Sequence, residues 1–263
     1  MLVVKYGGNA LIHSTDMDPV LEAIGDAFID GDQVVLIHGG GPQIDQALAE
    51  KGLGKERIGG YRVTTEDVLK VVETVLCGQV LRSITKYLLG SEVNAVGITA
   101  GDGGLVVAKK MMPIVEGIKV DIGLVGEVVS VNPELLQHLL AGEYLPVIAP
   151  IALDSDGNAL NINADLVAGA IGGALKADQV VFLTDVDGIY SDWPNKDSLI
   201  TKINVEELEK LLPFLADGMI PKVTAVLNAV NSGAKSARIV NGTNLKSVLD
   251  AFAGVGGTVV TAA

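Results

Sequence analysis

The feature that most constrains this chain is a set of short apolar runs that stop abruptly at glycine or at a polar turn. LVVKY (2–6) breaks into two glycines, VVLIH (34–38) into three, and QVVFLTDV (179–186) into a turn with a glycine at 188. A strand buried on one face alternates apolar and polar residues, whereas an unbroken run is covered on both faces. Helices must then lie on both sides of a mostly parallel sheet. The spacing supplies them: PVLEAIGDAFIDG (19–31) and GPQIDQALAEKG (41–52) carry apolar residues at helical intervals.

The alternation continues along the chain. EDVLKVVETVLCGQVLRSITKYLLG (66–90) reads as one helix of about 25 residues, with Thr64 or Thr65 as its cap and Glu66 and Asp67 in its first turn. Further strands are predicted at NAVGIT (94–99), LPVIAP (145–150), SARIVN (236–241) and GTVVT (257–261), and further helices at VTAVLNAVNSG (223–233) and LKSVLDAFAG (245–254). GIKVDIGLVGEVVSVN (117–132) reads as a hairpin with glycine-marked turns. In IALDSDGNALNIN (151–163), DSDG marks a turn between two short strands. Repeats, low-complexity stretches and linkers are not evident. The expected organisation is two lobes sharing one continuous sheet, about 1–176 and about 177–263.

Composition excludes several roles. A net charge of −13 disfavours nucleic acid and anionic membranes, which need basic surfaces. It leaves room for an anionic small molecule held by a few local cations. With one cysteine, Cys77, no disulfide forms within the chain, and a reducing compartment is expected. Cys77 lies in an apolar helical run and reads as a core residue. No basic leader precedes the first strand, and no apolar run reaches the ~18 residues that span a bilayer. The cytoplasm is the expected location.

Ligands of open parallel sheets bind beyond the carboxyl ends of the strands. Both N-terminal glycine clusters stand there, each leading towards a helix. Unpaired backbone N–H groups at such places converge on anions, and glycine lets that backbone approach closely. The plainer reading, tight strand-to-helix turns, asks for less glycine than GGG supplies. Neither GxxxxGK[ST] nor a GxGxxG after the first strand is present, which disfavours a P-loop and hydride transfer to a dinucleotide. Four other stretches carry chemistry: GYRVT (60–64), NINAD (161–165), TDVDGI (184–189) and DGMIPK (217–222). Taken alone, Arg62 is either a solvated surface charge or a bidentate partner for a carboxylate. NINAD is either a turn with a helix cap or a cluster of amides and a carboxylate facing a ligand. TDVDGI is a strand end where a nucleotide could lie, or an ordinary turn. Lys222 follows Pro221 at a helix start and, in isolation, reads as a surface charge.

Taken together, VVKYGGNA, HGGGPQI, GYRVT, NINADLVAG, LTDVDGIY and DGMIPKV, in this order and spacing, resemble the amino acid kinase family across essentially the whole chain. Their wording resembles most the branch that phosphorylates N-acetyl-L-glutamate. The resemblance implies a three-layer αβα sandwich around a central, mainly parallel eight-stranded sheet. It implies phosphoryl transfer from ATP, with Mg²⁺, to the side-chain carboxylate of N-acetyl-L-glutamate, the second step of the acetylated route to arginine. The N-terminal lobe would bind the acyl substrate and the C-terminal lobe ATP. By the same resemblance, Lys5 and Lys222 stabilise the transferring phosphoryl group and Asp165 organises the two lysines. Gly40, Gly41, Arg62 and Asn161 hold the acyl substrate. Gly7, Gly8, Thr184, Asp185, Val186, Asp187, Gly188 and Ile189 face the nucleotide, with Phe214, Leu215 and Ala216 near the adenine. A carboxylate nucleophile is already ionised near neutrality, with an ordinary pKa of about 4.3, so no general base is called for. No carboxylate cage for a metal is read in the sequence, which suits an ion carried by ATP and water. His38 is given no chemistry and reads as a structural residue behind the glycines.

The sequence departs from the family's usual pattern in two places. Leu81-Arg82 stands where an Asn-Lys pair is common, in the helix expected to contribute to a homodimer. The first strand begins at residue 2, without the additional helix of arginine-inhibited hexamers, so a homodimer insensitive to arginine is expected. Kinases of carrier-bound aminoadipate or glutamate share most of these motifs, but an acidic carrier asks for a basic docking surface that this chain does not offer. A ligand sensor without activity would be expected to lack Lys5, Asp165 or Lys222, and all three are present. Nothing in the sequence calls for a nitrogen-signalling protein partner.

Overall fold

The structure, a computed structural model, describes residues 1–7, 18–115, 117–215 and 219–262. Its centre is an eight-stranded sheet. In chain order the strands are β1 (Leu2–Tyr6), β2 (Val34–His38), β3 (Ala95–Thr99), β4 (Leu145–Ala149), β5 (Gln179–Thr184), β6 (Lys202–Asn204), β7 (Ser236–Asn241) and β8 (Thr258–Thr261). Across the sheet they run β6-β8-β7-β5-β1-β2-β4-β3. All pairings are parallel except β7 with β8. β1 therefore sits centrally between β5 and β2, with Lys5 level with Phe182 on one side and Ile37 on the other.

The unbroken apolar runs are covered on both faces, as their pattern demands. One face packs against α1 (Pro19–Ile29), α2 (Gly41–Glu50), α3 (Glu66–Glu73), α4 (Leu81–Gly90) and α9 (Leu245–Phe252). The other packs against α5 (Glu134–Ala141), α6 (Ala164–Ala174), α7 (Val205–Leu211) and α8 (Ile220–Asn231). This is the expected three-layer αβα sandwich. Among the described residues, no helix is long and apolar enough to cross a membrane.

Two local expectations need correction, and the choice between two caps is decided. The 66–90 helix is continuous but holds a π-helical segment, Thr74–Val80, between α3 and α4. Its cap is Thr65, whose Oγ1 accepts the Val68 N–H; Thr64 is fully buried and donates to the Arg62 carbonyl instead. The 117–132 segment is not one hairpin. Ile118–Lys119 pairs back with Ile114–Val115, while Val125–Val131 pairs with Val106–Lys110, a strand that the spacing did not single out. Val125–Val131 also pairs with Ala159–Ile162, and with Ile151–Leu153 these strands close a small four-stranded barrel beyond the β4 end of the sheet. The DSDG turn joins the last two strands as read from the sequence.

Candidate active site

The carboxyl ends of β1, β2 and β5 lie side by side, and so do the turns that follow them. Gly7 follows β1 and packs on Gly39 after β2. A Cβ on Gly7 would stand 3.0 Å from the Gly39 nitrogen and 3.3 Å from Lys5 Cε, so glycine permits this contact. Gly8 lies outside the described residues. Gly40 presses against Leu76 of the π-helical segment, where a Cβ would be 2.7 Å from Cδ2. Gly41 opens α2 and faces free space: nothing lies within 4 Å of where its Cβ would be. Glycine therefore serves packing at 7 and 40 and an open wall at 41.

Lys5 points to the α6 side of the sheet. Its Nζ lies 3.0 Å from Asp165 Oδ1, and both side chains are more than nine-tenths buried. The contact is an ion pair by distance without the alignment of a hydrogen bond, and Asp165 Oδ1 has no hydrogen-bond partner among the described residues. Asp165 is held in the first turn of α6 by Asn163, whose Oδ1 accepts the Asp165 N–H at 2.8 Å. A buried, paired ammonium is costly to desolvate, and removing either partner strands the other charge.

Lys222 reaches the same end of the molecule through helix packing. Gly169 and Gly173 of α6 lie against Ala225 and Ala229 of α8, so the two helices run side by side in one direction. Asp165 stands one turn before Gly169, and Lys222 nearly one turn before Ala225. Their first turns are therefore neighbours. The structure gives Asp165 an ion pair with Lys5 and none with Lys222.

Arg62 ends a hairpin of Arg57–Ile58 with Tyr61–Arg62, turned by Gly59 and Gly60 at φ of 57° and 83°. Its guanidinium is buried: Nη2 stands 2.6 Å from Asp45 Oδ1, and Nη1 has no partner among the described residues. Burial lowers its pKa from the ordinary value, while the hydrogen bond and charge of Asp45 oppose that shift. Thr64 links this arginine to Asn161: its Oγ1 donates to the Arg62 carbonyl at 2.9 Å and accepts from Asn161 Nδ2 at 3.3 Å. Gly123 makes the link possible. Its φ is 81°, and a Cβ there would run into the Thr64 carbonyl. Asp45 and Thr64 were not singled out from the sequence. The available signal was an acid one turn into the helix after the glycines, with two arginines, Arg57 and Arg62, downstream; Arg57 Nη2 lies 3.3 Å from Asp45 Oδ2.

The TDVDGI turn divides between packing and exposure. Thr184 Oγ1 accepts the Val186 N–H at 3.1 Å, and Thr258 Oγ1 accepts the Ile189 N–H at 2.7 Å. Gly188 is buried against Thr258 and Leu199. Asp187 accepts from Asn241 Nδ2 at 2.9 Å and from the Tyr190 hydroxyl at 3.1 Å, so both its oxygens brace the turn. Asp185 is exposed and Val186 half-buried beside it. Phe214 is 82% exposed, Leu215 is half-buried, and Ala216 lies outside the described residues.

The candidate site thus sets Lys5 and Asp165 beside the glycine backbone after β1 and β2, with the first turn of α8, which carries Lys222, next to that of α6, and with the buried Arg62 linked to Asn161 through Thr64. The chain belongs to the amino acid kinase family, whose model matches residues 1–241. Within that family it is similar to acetylglutamate kinases. It is 44% identical to that of Saccharopolyspora erythraea over 99% of this chain and 87% of the relative. It is 46% identical to that of Rhodococcus jostii over 99% of this chain and 85% of the relative. Among solved structures it resembles smu.665 from Streptococcus mutans UA159, with a TM-score of 0.81 and 26% identity over 100% of this chain and 98% of that one.

Proposed function

We propose that this chain transfers the γ-phosphoryl group of MgATP to the side-chain carboxylate of N-acetyl-L-glutamate, giving ADP and N-acetyl-L-glutamyl 5-phosphate for arginine biosynthesis. The observation that carries the choice of substrate is Arg62. A buried guanidinium with an unpartnered Nη1 is suited to a second, non-reacting carboxylate, which acetylglutamate has and carbamate lacks. The nearly full-length likeness to acetylglutamate kinases supports the same reading.

The chemistry follows from the charges. A carboxylate oxygen attacks Pγ, the new O–P bond forms, and the bond to the β–γ bridging oxygen breaks with its electron pair leaving on ADP. The acceptor is already an anion, so the barrier is bringing it in line with a more negative nucleotide. Lys5 and Lys222 supply positive charge to the transferring group. Asp165 orients Lys5, and its free Oδ1 capacity suits it to Lys222 as well. Gly40 and Gly41 offer N–H groups to the acyl substrate, with Arg62 and Asn161 holding its far end. Gly7 and Gly8 face the phosphates. Thr184 through Ile189 form the nucleotide wall, with Phe214, Leu215 and Ala216 towards the adenine. Magnesium enters with the nucleotide as part of the substrate.

The same reading divides the chain into an acyl-substrate lobe, about 1–176, and a nucleotide lobe, about 177–263. It makes the protein a cytoplasmic homodimer. Hydroxylamine trapping tests the reaction: acetylglutamate, glutamate, aspartate and N-acetyl-aminoadipate are compared at equal concentration with MgATP. Hydroxamate formed chiefly from acetylglutamate is expected. Formation only from another acid would overturn the substrate assignment.

A further inference from the structure

His38 ends β2, one residue before the glycines, and is fully buried. Its Nδ1 lies 2.8 Å from the Gly39 carbonyl oxygen. A carbonyl only accepts, so Nδ1 carries the proton and donates. Nε2 is then an acceptor, and it has no partner among the described residues. Burial holds the ring's pKa down at about 4, so it is neutral near pH 7. An unpaired buried acceptor carries a desolvation penalty. A leucine would fill comparable space without that penalty, so packing alone does not account for the ring. The bond made by Nδ1 does.

That bond has a defined consequence. The Gly39 N–H is tied to the Tyr6 carbonyl at 2.8 Å, so β1 fixes one side of Gly39 and His38 fixes the other. The Gly39–Gly40 peptide is planar and trans, so its C=O and N–H point in opposite directions. Holding the Gly39 oxygen therefore sets where the Gly40 N–H aims. No acceptor among the described residues meets that N–H. Gly39 also packs on Gly7, which itself lies beside Lys5 Cε, so the aimed N–H belongs to the neighbourhood of the lysine.

We infer that His38 is a positioning residue: as the Nδ1–H tautomer it locks the Gly39–Gly40 peptide and points the Gly40 N–H at the acceptor carboxylate. This rests on the reading of Gly40 as part of the acyl-substrate site. The free alternative is a peptide that rotates, so that the N–H is lost to the anion at the moment it is needed.

Three variants separate this role from packing. An asparagine amide nitrogen falls near the place of Nδ1, and a glutamine amide nitrogen near that of Nε2. His38→Asn should keep kcat/KM for acetylglutamate within about fivefold of wild type. His38→Gln and His38→Leu should lose about 10–100-fold, the loss expected for one hydrogen bond to a charged group. The KM for ATP should hold, and calorimetric affinity for acetylglutamate should follow the same order. Melting curves identify any variant that fails to fold; the Asn-against-Gln contrast decides the matter without the leucine variant. Equal loss in Asn and Gln, or better activity in Gln, would overturn the inference. Wild-type protein that makes hydroxamate only from another acid would overturn the substrate assignment alone, and the same contrast read with that acid would still decide His38.

Discussion

Gly169 is where helix packing meets the proposed placement of Lys222, and Gly169→Ala separates two opposed effects. Alanine in a helix is favoured over glycine by about 0.5–1 kcal/mol. Against that, the new Cβ would stand 2.5 Å from the Ala225 carbonyl oxygen, where real Cβ atoms stay beyond 3.0 Å and ordinary contact begins at 3.4 Å. Restoring ordinary contact moves α8 away from α6 by roughly 0.5–0.9 Å. The obstacle is backbone, and Gly173 makes a second close contact with Ser232 along the same seam, so the helices cannot simply pivot. Overpacking of this kind costs about 1–3 kcal/mol. The net expectation is a loss of about 1–2 kcal/mol in urea unfolding. Lys222 rides on the displaced helix, three residues before Ala225. A shift approaching 1 Å at a phosphoryl-stabilising ammonium can cost about 10²-fold, so turnover at saturating substrates should fall by about 10–100-fold. Gly78→Ala is the control, since Gly78 is exposed and nothing lies within 4 Å of its Cβ position. Stabilisation by Gly169→Ala with unchanged turnover would refute the close-packed seam as the device that places Lys222.

Lys222→Ala should lower turnover about 10²–10³-fold while acetylglutamate affinity changes little; equal loss of both, read by kinetics and calorimetry, would remove its transition-state role. Arg62→Ala should raise the KM for acetylglutamate about 10–100-fold, and an unchanged value would take Arg62 out of the substrate site. His38 also gives stability a pH dependence. Its folded pKa of about 4 lies below the unfolded value of about 6.5, so the unfolded chain takes up a proton that the folded chain refuses. Stability should fall by roughly 3 kcal/mol from this group as pH drops through that window, and His38→Asn should lack this part of the slope in urea titrations.

β6, with a single buried apolar residue, gave no run to read, and the other seven strands of the sheet were legible because their apolar runs are covered on both faces and could not alternate. The barrel strand Val106–Lys110 was not, because it is covered on only one side: Val106 and Ala108 are buried, while Val107, Lys109 and Lys110 face out. A five-residue strand carrying two adjacent lysines gives little apolar signal. Without it, Val125–Val131 had no visible partner other than its own neighbour in sequence, and a hairpin was the local solution. The π-helical turns kept the helical spacing of their neighbours closely enough to pass as one helix, and the packing of Leu76 against Gly40 is a tertiary contact.

The candidate site residues were named through an ordered set of short motifs, whereas the bonds between them were not legible. Asp45 shows why. In the sequence it is one of the 32 acidic residues of an acidic chain, on a helix whose polar face would read as solvated. In the fold it stands between an exposed Arg57 and a buried Arg62, 2.6 Å from the latter. A carboxylate there does two opposed things. It helps keep a desolvated guanidinium charged, and it occupies Nη2 that an incoming carboxylate would otherwise share. What remains for a ligand is Nη1, among the described residues the one arginine nitrogen left buried without a partner. The proposed substrate end of the site is therefore defined as much by which donors the protein already engages as by which cations it contains, and that allocation is made by packing between α2 and the Arg57–Arg62 hairpin, elements that share no sequence pattern.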